Sequence, residues 1–97
     1  MKLLTIIISS DLEDEVGHLL SERNVDCYVK LTEAYGISHS YEGTIGENMP
    51  WEASVFLVSG EESALEEIAE EIQEQVKAKD YKPCLRMMIQ PTDKVWI

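Results

Sequence analysis

The residues with the widest chemical reach lie close together between Ile37 and Ser54: His39, Tyr41, Glu42, Glu47, Met49 and Trp51. An imidazole near a carboxylate, as in His39 and Glu42, could supply two ligands of a zinc-type site, because both donor types suit that ion. Two ligands do not close a coordination sphere. The other candidates are distant: His18 falls in a helical stretch, and Cys27 and Cys84 fall in stretches that read as a strand and a strand entrance. The expectation for His39 and Glu42 is therefore solvated loop residues and no metal site. Cys84 with Met87 and Met88 offers soft donors for copper(I), but strand alternation sends the two methionines to opposite faces, which points to packing instead. Tyr41 and Trp51 read in two ways, as aromatic anchors for a partner protein or as side chains that pack the loop onto the sheet or a neighbouring copy.

Signatures of catalysis are missing. The chain has no glycine-rich phosphate loop with its lysine, no Gly-x-Ser-x-Gly elbow, no CxxC and no HExxH. An acylphosphatase-type activity would need backbone donors and an arginine just after the first strand, where Ser9, Ser10, Asp11 and Leu12 offer no cation. The many glutamates from Glu61 to Glu74 follow the outer side of a helical pattern and read as a solvated face. The expectation is a protein that is not an enzyme, with no catalytic residue and no cofactor.

The charge narrows the partners further. Eight basic residues against nineteen acidic ones leave a formal net charge of -11, so non-specific attraction to nucleic acid or to an anionic membrane surface is not expected. The longest apolar run, Leu3 to Ile8, is far short of the ~20 residues that cross a bilayer. No signal-peptide pattern follows it, which makes the cytoplasm the expected location and reduced, free thiols the expected state of Cys27 and Cys84.

Six elements are needed to position these residues, and the 97 residues suit one domain. Lys2 to Ile8, β-branched at Thr5 and at Ile6 to Ile8, reads as a central strand. Ser10 and Glu13 have the spacing of a capping box, and Leu12, Val16, Leu19 and Leu20 give the helix after it one apolar stripe. Val25, Cys27, Val29 and Leu31 then alternate with polar residues, which predicts a second strand, reaching Tyr35, with that set facing the core. Residues 37–54, with Gly43, Gly46 and Pro50, read as a long loop with extended, hairpin-like flanks. Ala53 to Ser59 is the third strand. Ser63 and Glu66 suggest a second capping box, opening a helix striped by Leu65, Ile68, Ala69, Ile72 and Val76. Leu85 to Ile89 is the fourth strand, halted by Pro91. The order strand, helix, strand, strand, helix, strand makes two βαβ halves with right-handed crossovers, which predicts a ferredoxin-like α+β fold with both helices on one face of an antiparallel sheet.

In that order the chain resembles the nitrogen regulatory PII superfamily and its divergent PII-like members. The resemblance rests on the strand Lys2-Leu3-Leu4-Thr5-Ile6-Ile7-Ile8 followed by Leu12-Glu13-Asp14-Glu15-Val16, on Ala34-Tyr35-Gly36 where the family has a Gly-Phe-Gly turn, on the long loop beyond it, and on Ile89-Gln90-Pro91. It implies a homotrimer with clefts between subunits that bind a small anionic effector such as an adenine nucleotide. It also implies a mobile loop that contacts a transporter or enzyme. By position, Tyr35, Gly36 and Ile37 would form the loop base, Lys82 and Arg86 would be the cations nearest the effector, and His39, Tyr41 and Trp51 would belong to the partner-binding loop. The family's glycine-rich basic loop is here Lys77 to Cys84, which has lysines but no glycine. The CutA divalent-cation-tolerance family shares the trimeric plan and is the alternative, as a metal-binding protein.

Overall fold

The computed structural model of the protein describes residues 1–23, 25, 27–38 and 49–96. Four strands and two helices follow one another: β1 (Lys2–Ser9), a 3-10 turn (Ser10–Leu12), α1 (Glu13–Ser21), β2 (Cys27–Ser38), β3 (Met49–Gly60), α2 (Glu62–Lys77) and β4 (Leu85–Pro91). The sheet order is β2-β3-β1-β4 and every neighbouring pair is antiparallel. Each helix crosses over one intervening strand, which is the split βαβ arrangement, so the fold is ferredoxin-like α+β as the order of elements predicts.

The core lies between the sheet and the two helices. Leu4, Ile6 and Ile8 of β1 and Phe56 and Val58 of β3 are fully buried there, against Val16, Leu19 and Leu20 of α1 and Leu65, Ile68 and Ile72 of α2. Burying each such side chain is worth roughly 1.5–3 kcal/mol, and together they hold both helices to one face. Leu85, Met87 and Ile89 of β4 complete that side.

Neither expected capping box forms. α2 begins one residue before Ser63, with Glu61 as its cap and no side-chain cap bond, so Ser63 already lies inside the helix. At α1 the 3-10 turn inserts a tighter coil after Ser10, and both partners of the expected box are taken elsewhere. The Ser10 hydroxyl donates to Glu52 (3.4 Å), and Glu13 accepts a bond from Ser54 (2.5 Å). Tertiary partners across the sheet outcompete the local cap.

The second correction concerns β2. Its residues Tyr28 and Lys30 pair with Val58 and Phe56 and so share their helix-covered side, with the Tyr28 ring 6.3 Å from that of Phe56. Cys27, Val29 and Leu31 pair with Ser59, Leu57 and Val55 and lie on the uncovered face of the sheet; Val29 and Leu31 remain 49% and 48% exposed. The alternation is as expected, but of the predicted apolar set only Val25, which precedes the strand, packs against the core of this chain.

Candidate functional site

One end of the sheet gathers the connections. β1 ends there at Ser9 and passes into α1, the chain leaving α2 arrives there to start β4, and β2 and β3 continue beyond it as a two-stranded stem. The pairs Tyr35↔Glu52, Gly36↔Trp51, Ile37↔Pro50 and Ser38↔Met49 lie past Ala53, the last residue of β3 to pair with β1. Of residues 37–54, expected as a loop with extended flanks, the described ones, 37–38 and 49–54, are strand. His39, Tyr41, Glu42 and Glu47 lie outside the described residues.

A bulge sets the stem's geometry. Leu31 pairs with Val55 and Ala34 with Ala53, so Thr32 and Glu33 together oppose Ser54, and Glu33 takes a left-handed φ of 59°. A two-against-one bulge reverses which residues face which side. Before it, odd-numbered β2 residues face the open side; after it, Ala34 and Gly36 do. Tyr35 and Ile37 therefore turn to the helix side, but beyond the helices, where they are 70% and 65% exposed.

Trp51 is a strand residue, not a loop residue. Its indole lies across Gly36: a Cβ added at position 36 would collide with Trp51 Cε2 and Cζ2, so this packing of the ring requires glycine there. Of the two readings open for Trp51, packing is the one the stem displays. Sequence spacing could not pair residues 36 and 51 without the strand register.

At the stem's foot a polar cluster replaces the core. Ser54 is fully buried and donates to Glu13 Oε1, while Lys30 Nζ lies 3.7 Å from Glu13 Oε2. A buried hydroxyl without a partner would be costly, and here the charge-assisted bond supplies one. The sequence carries a hint of it, since Ser54 interrupts the apolar, helix-facing set continued by Phe56 and Val58.

The cations expected near an effector stand on the opposite edge of the sheet. Arg86 is the second residue of β4, pairs with Ile7 on the open face and donates through Nη1 to Leu85 O at 2.9 Å. Lys82 is exposed in the chain between α2 and β4. Three strand spacings, ~14 Å, separate that edge from the strand bearing Tyr35, Gly36 and Ile37, so a single chain does not assemble the five residues into one pocket.

The same end carries a set of ties. Cys84 N donates to Ser9 Oγ (3.0 Å) and Ser9 N to Cys84 O (3.1 Å); Tyr81 donates its hydroxyl proton to Asp11 Oδ2 (2.5 Å), and Lys79 Nζ meets Glu15 Oε1 at 2.6 Å. The hydrogen bond to Asp11, with further contributions from desolvation and the nearby negative charges, pushes the Tyr81 hydroxyl up to about 12. Among the described residues no three His, Cys, Asp or Glu side chains converge as metal ligands. Cys27 and Cys84 are free thiols on opposite edges and toward opposite ends of the sheet. No helix among the described residues is long and apolar enough to cross a membrane.

No protein-family model matches the sequence, and no curated protein matches it. Solved structures do. CPII, a nitrogen regulatory PII-like protein from Thiomonas intermedia K12 bound to ADP, AMP and bicarbonate, aligns with a TM-score of 0.60 at 15% identity, covering 96% of this chain and 94% of that one. The divalent cation tolerance protein CutA1 from Thermus thermophilus aligns with a TM-score of 0.69 at 15% identity over 98% of this chain and 87% of that one. A DUF3240 family protein from Shewanella baltica OS155 aligns at 0.70 and 16% identity, over 99% and 93%. At these identities the likeness is one of fold: the chain shares the whole ferredoxin-like architecture of PII-like and CutA structures.

Proposed function

We propose that the protein is a PII-like signal-transduction protein of the cytoplasm, a homotrimer that binds a small anionic effector in the clefts between subunits. The observation that carries this reading is the uncovered face of the sheet. Leu3, Ile7, Val55 and Leu57 are partly buried there, and Val29, Leu31 and Met88 are about half exposed. An apolar sheet face with no second layer is an interface in search of a cover, and copies of the same chain arranged in a closed ring cover it without leaving an edge.

Such a ring brings the β4 edge of one subunit toward the β2 edge of the next. Lys82 and Arg86 of one copy then face Tyr35, Gly36 and Ile37 of its neighbour, the pairing that one chain cannot make. The bound ADP, AMP and bicarbonate of the CPII structure suggest the first effectors to try. The segment carrying His39 and Tyr41, which joins the two strands of the stem in sequence, is the contact for a protein partner such as a transporter or enzyme. Light scattering coupled to size exclusion tests the assembly: three times 11.0 kDa is expected, and a monomer at micromolar concentration removes the clefts. Calorimetry with ADP, AMP and bicarbonate tests the effector.

The fold match to CutA1, with a higher TM-score than that of CPII, favours a second reading as a divalent-metal-binding protein. Metal analysis of tag-free protein, wild type and His39→Ala, separates the two. Stoichiometric zinc or copper in the wild type that the substitution removes supports the second reading, and its absence from both rejects it.

A further inference from the structure

Residues 78–84 leave α2 and reach β4 across the start of α1, and they are held there at three levels. At the far end, Cys84 and Ser9 exchange backbone and hydroxyl hydrogen bonds. In the middle, Tyr81 donates to Asp11. Nearest α2, the Lys79 ammonium meets Glu15 at 2.6 Å, with the lysine side chain about three-quarters covered. The acidic partners both come from the first turns after β1, and both cross-links span more than sixty positions of sequence.

We propose that this segment is a latched strap, with Glu15 as a built-in counter-ion for Lys79, so that a phosphate-type anion arriving at this end of the sheet gains Lys79 only by displacing Glu15. The proposal rests on the effector reading for its biological use, but its geometry lies within one chain. Lys79 stands beyond the C-terminus of α2, where a cation is already favoured by the helix dipole. With that charge matched by Glu15, and with no glycine in residues 78–84 to fold backbone N–H groups around a phosphate, the closed strap offers an incoming anion chiefly Lys82. Release of Glu15 and of the Tyr81 hydroxyl would add a second cation and free the strap to move. The acidic turn after β1 thus acts as an internal competitor, setting a threshold that weakly charged ligands do not cross.

Two measurements on the full chain test it. In hydrogen exchange, Tyr81→Phe keeps the ring and removes the bond to Asp11; the Cys84 amide and the Ser9 amide that donates to Cys84 O should exchange about fivefold faster, the size of one net hydrogen bond, with the amides of residues 3–7 of β1 unchanged. Equal rates in the two proteins overturn the latch. In calorimetry with inorganic pyrophosphate at low salt, Glu15→Gln should bind about threefold more tightly than wild type, the size of one exposed ion pair, and Lys79→Ala in the same background should cancel the gain. Equal affinity, or no binding by either protein, overturns the counter-ion role. Pyrophosphate binding enhanced by Glu15→Gln while ADP stays silent would support the strap and retire the nucleotide reading, so the two failures are distinguishable.

Discussion

Ile6 and Ile7 are the same residue type, adjacent in the same central strand. Ile6 is fully buried beneath the helices, whereas Ile7, on the other side of the sheet, is only partly covered. The same contrast runs along β3, where Phe56 and Val58 are buried to nothing and Val55 and Leu57 are not. Two sheet faces of like composition therefore differ in what completes them. One is closed by this chain's own helices; the other, on the reading proposed above, is closed by other copies of the chain. Apolar patterning specifies that a face must be covered, and it is silent on whether the cover comes from the same polypeptide.

Substitutions on the two faces sharpen that contrast. Phe56→Ala on the covered face should cost roughly 3–5 kcal/mol in chemical denaturation, with the oligomeric state of the folded fraction unchanged. Leu57→Asp, one residue along, should leave the helical signal intact while light scattering falls to 11.0 kDa. A Leu57→Asp protein that keeps the wild-type mass would break the comparison, since the open face would then not be an interface. Next in size is the stem. Gly36→Ala drives a methyl group into Trp51 and should cost about 1–3 kcal/mol as an overpacking change, visible as a shift in tryptophan emission; a compensating Trp51→Leu should recover most of the stability. At the bulge, Glu33→Val should lose roughly 1 kcal/mol, because a β-branched residue resists a positive φ, while Glu33→Asn should hold or raise stability.

The smallest effect is a dependence on pH at the strap. Tyr81 is raised from 10.0 to about 12 in the folded protein, so the folded state holds that proton more tightly than the unfolded chain. Its contribution is fully present below pH 10 and is lost as pH climbs through 12. The wild type minus Tyr81→Phe difference in denaturation midpoint should shrink across that interval. A difference constant from pH 8 to 12 would mean that the hydroxyl is not engaged with Asp11 in solution.

Local patterning carried much of the fold: Leu12 at the end of the 3-10 turn with Val16, Leu19 and Leu20 on α1, and Leu65, Ile68 and Ile72 on α2, are the buried stripes that helical spacing predicts. Less of the site was legible. Trp51 looked like a loop aromatic because residues 37–54 lack steady periodicity, and a two-stranded stem open on both sides has no reason to alternate. The Glu13–Ser54 and Tyr81–Asp11 bonds join residues far apart in sequence, which no spacing rule can pair. Both capping boxes had the right spacing yet did not form, because α2 starts before Ser63 and Glu13 finds a buried partner on β3.

What the amino-acid order determined by itself is a set of periodicities: two helices with one apolar stripe each, four strands, and a crossover sequence that admits few topologies. These are short-range consequences of backbone geometry and the burial of apolar side chains. Tertiary structure alone decided which face of β2 meets the helices, where the bulge reverses the alternation, and which acids hold the strap, because each depends on strand register. Register is settled by the summed packing of the whole sheet and is not encoded in any one stretch of chain.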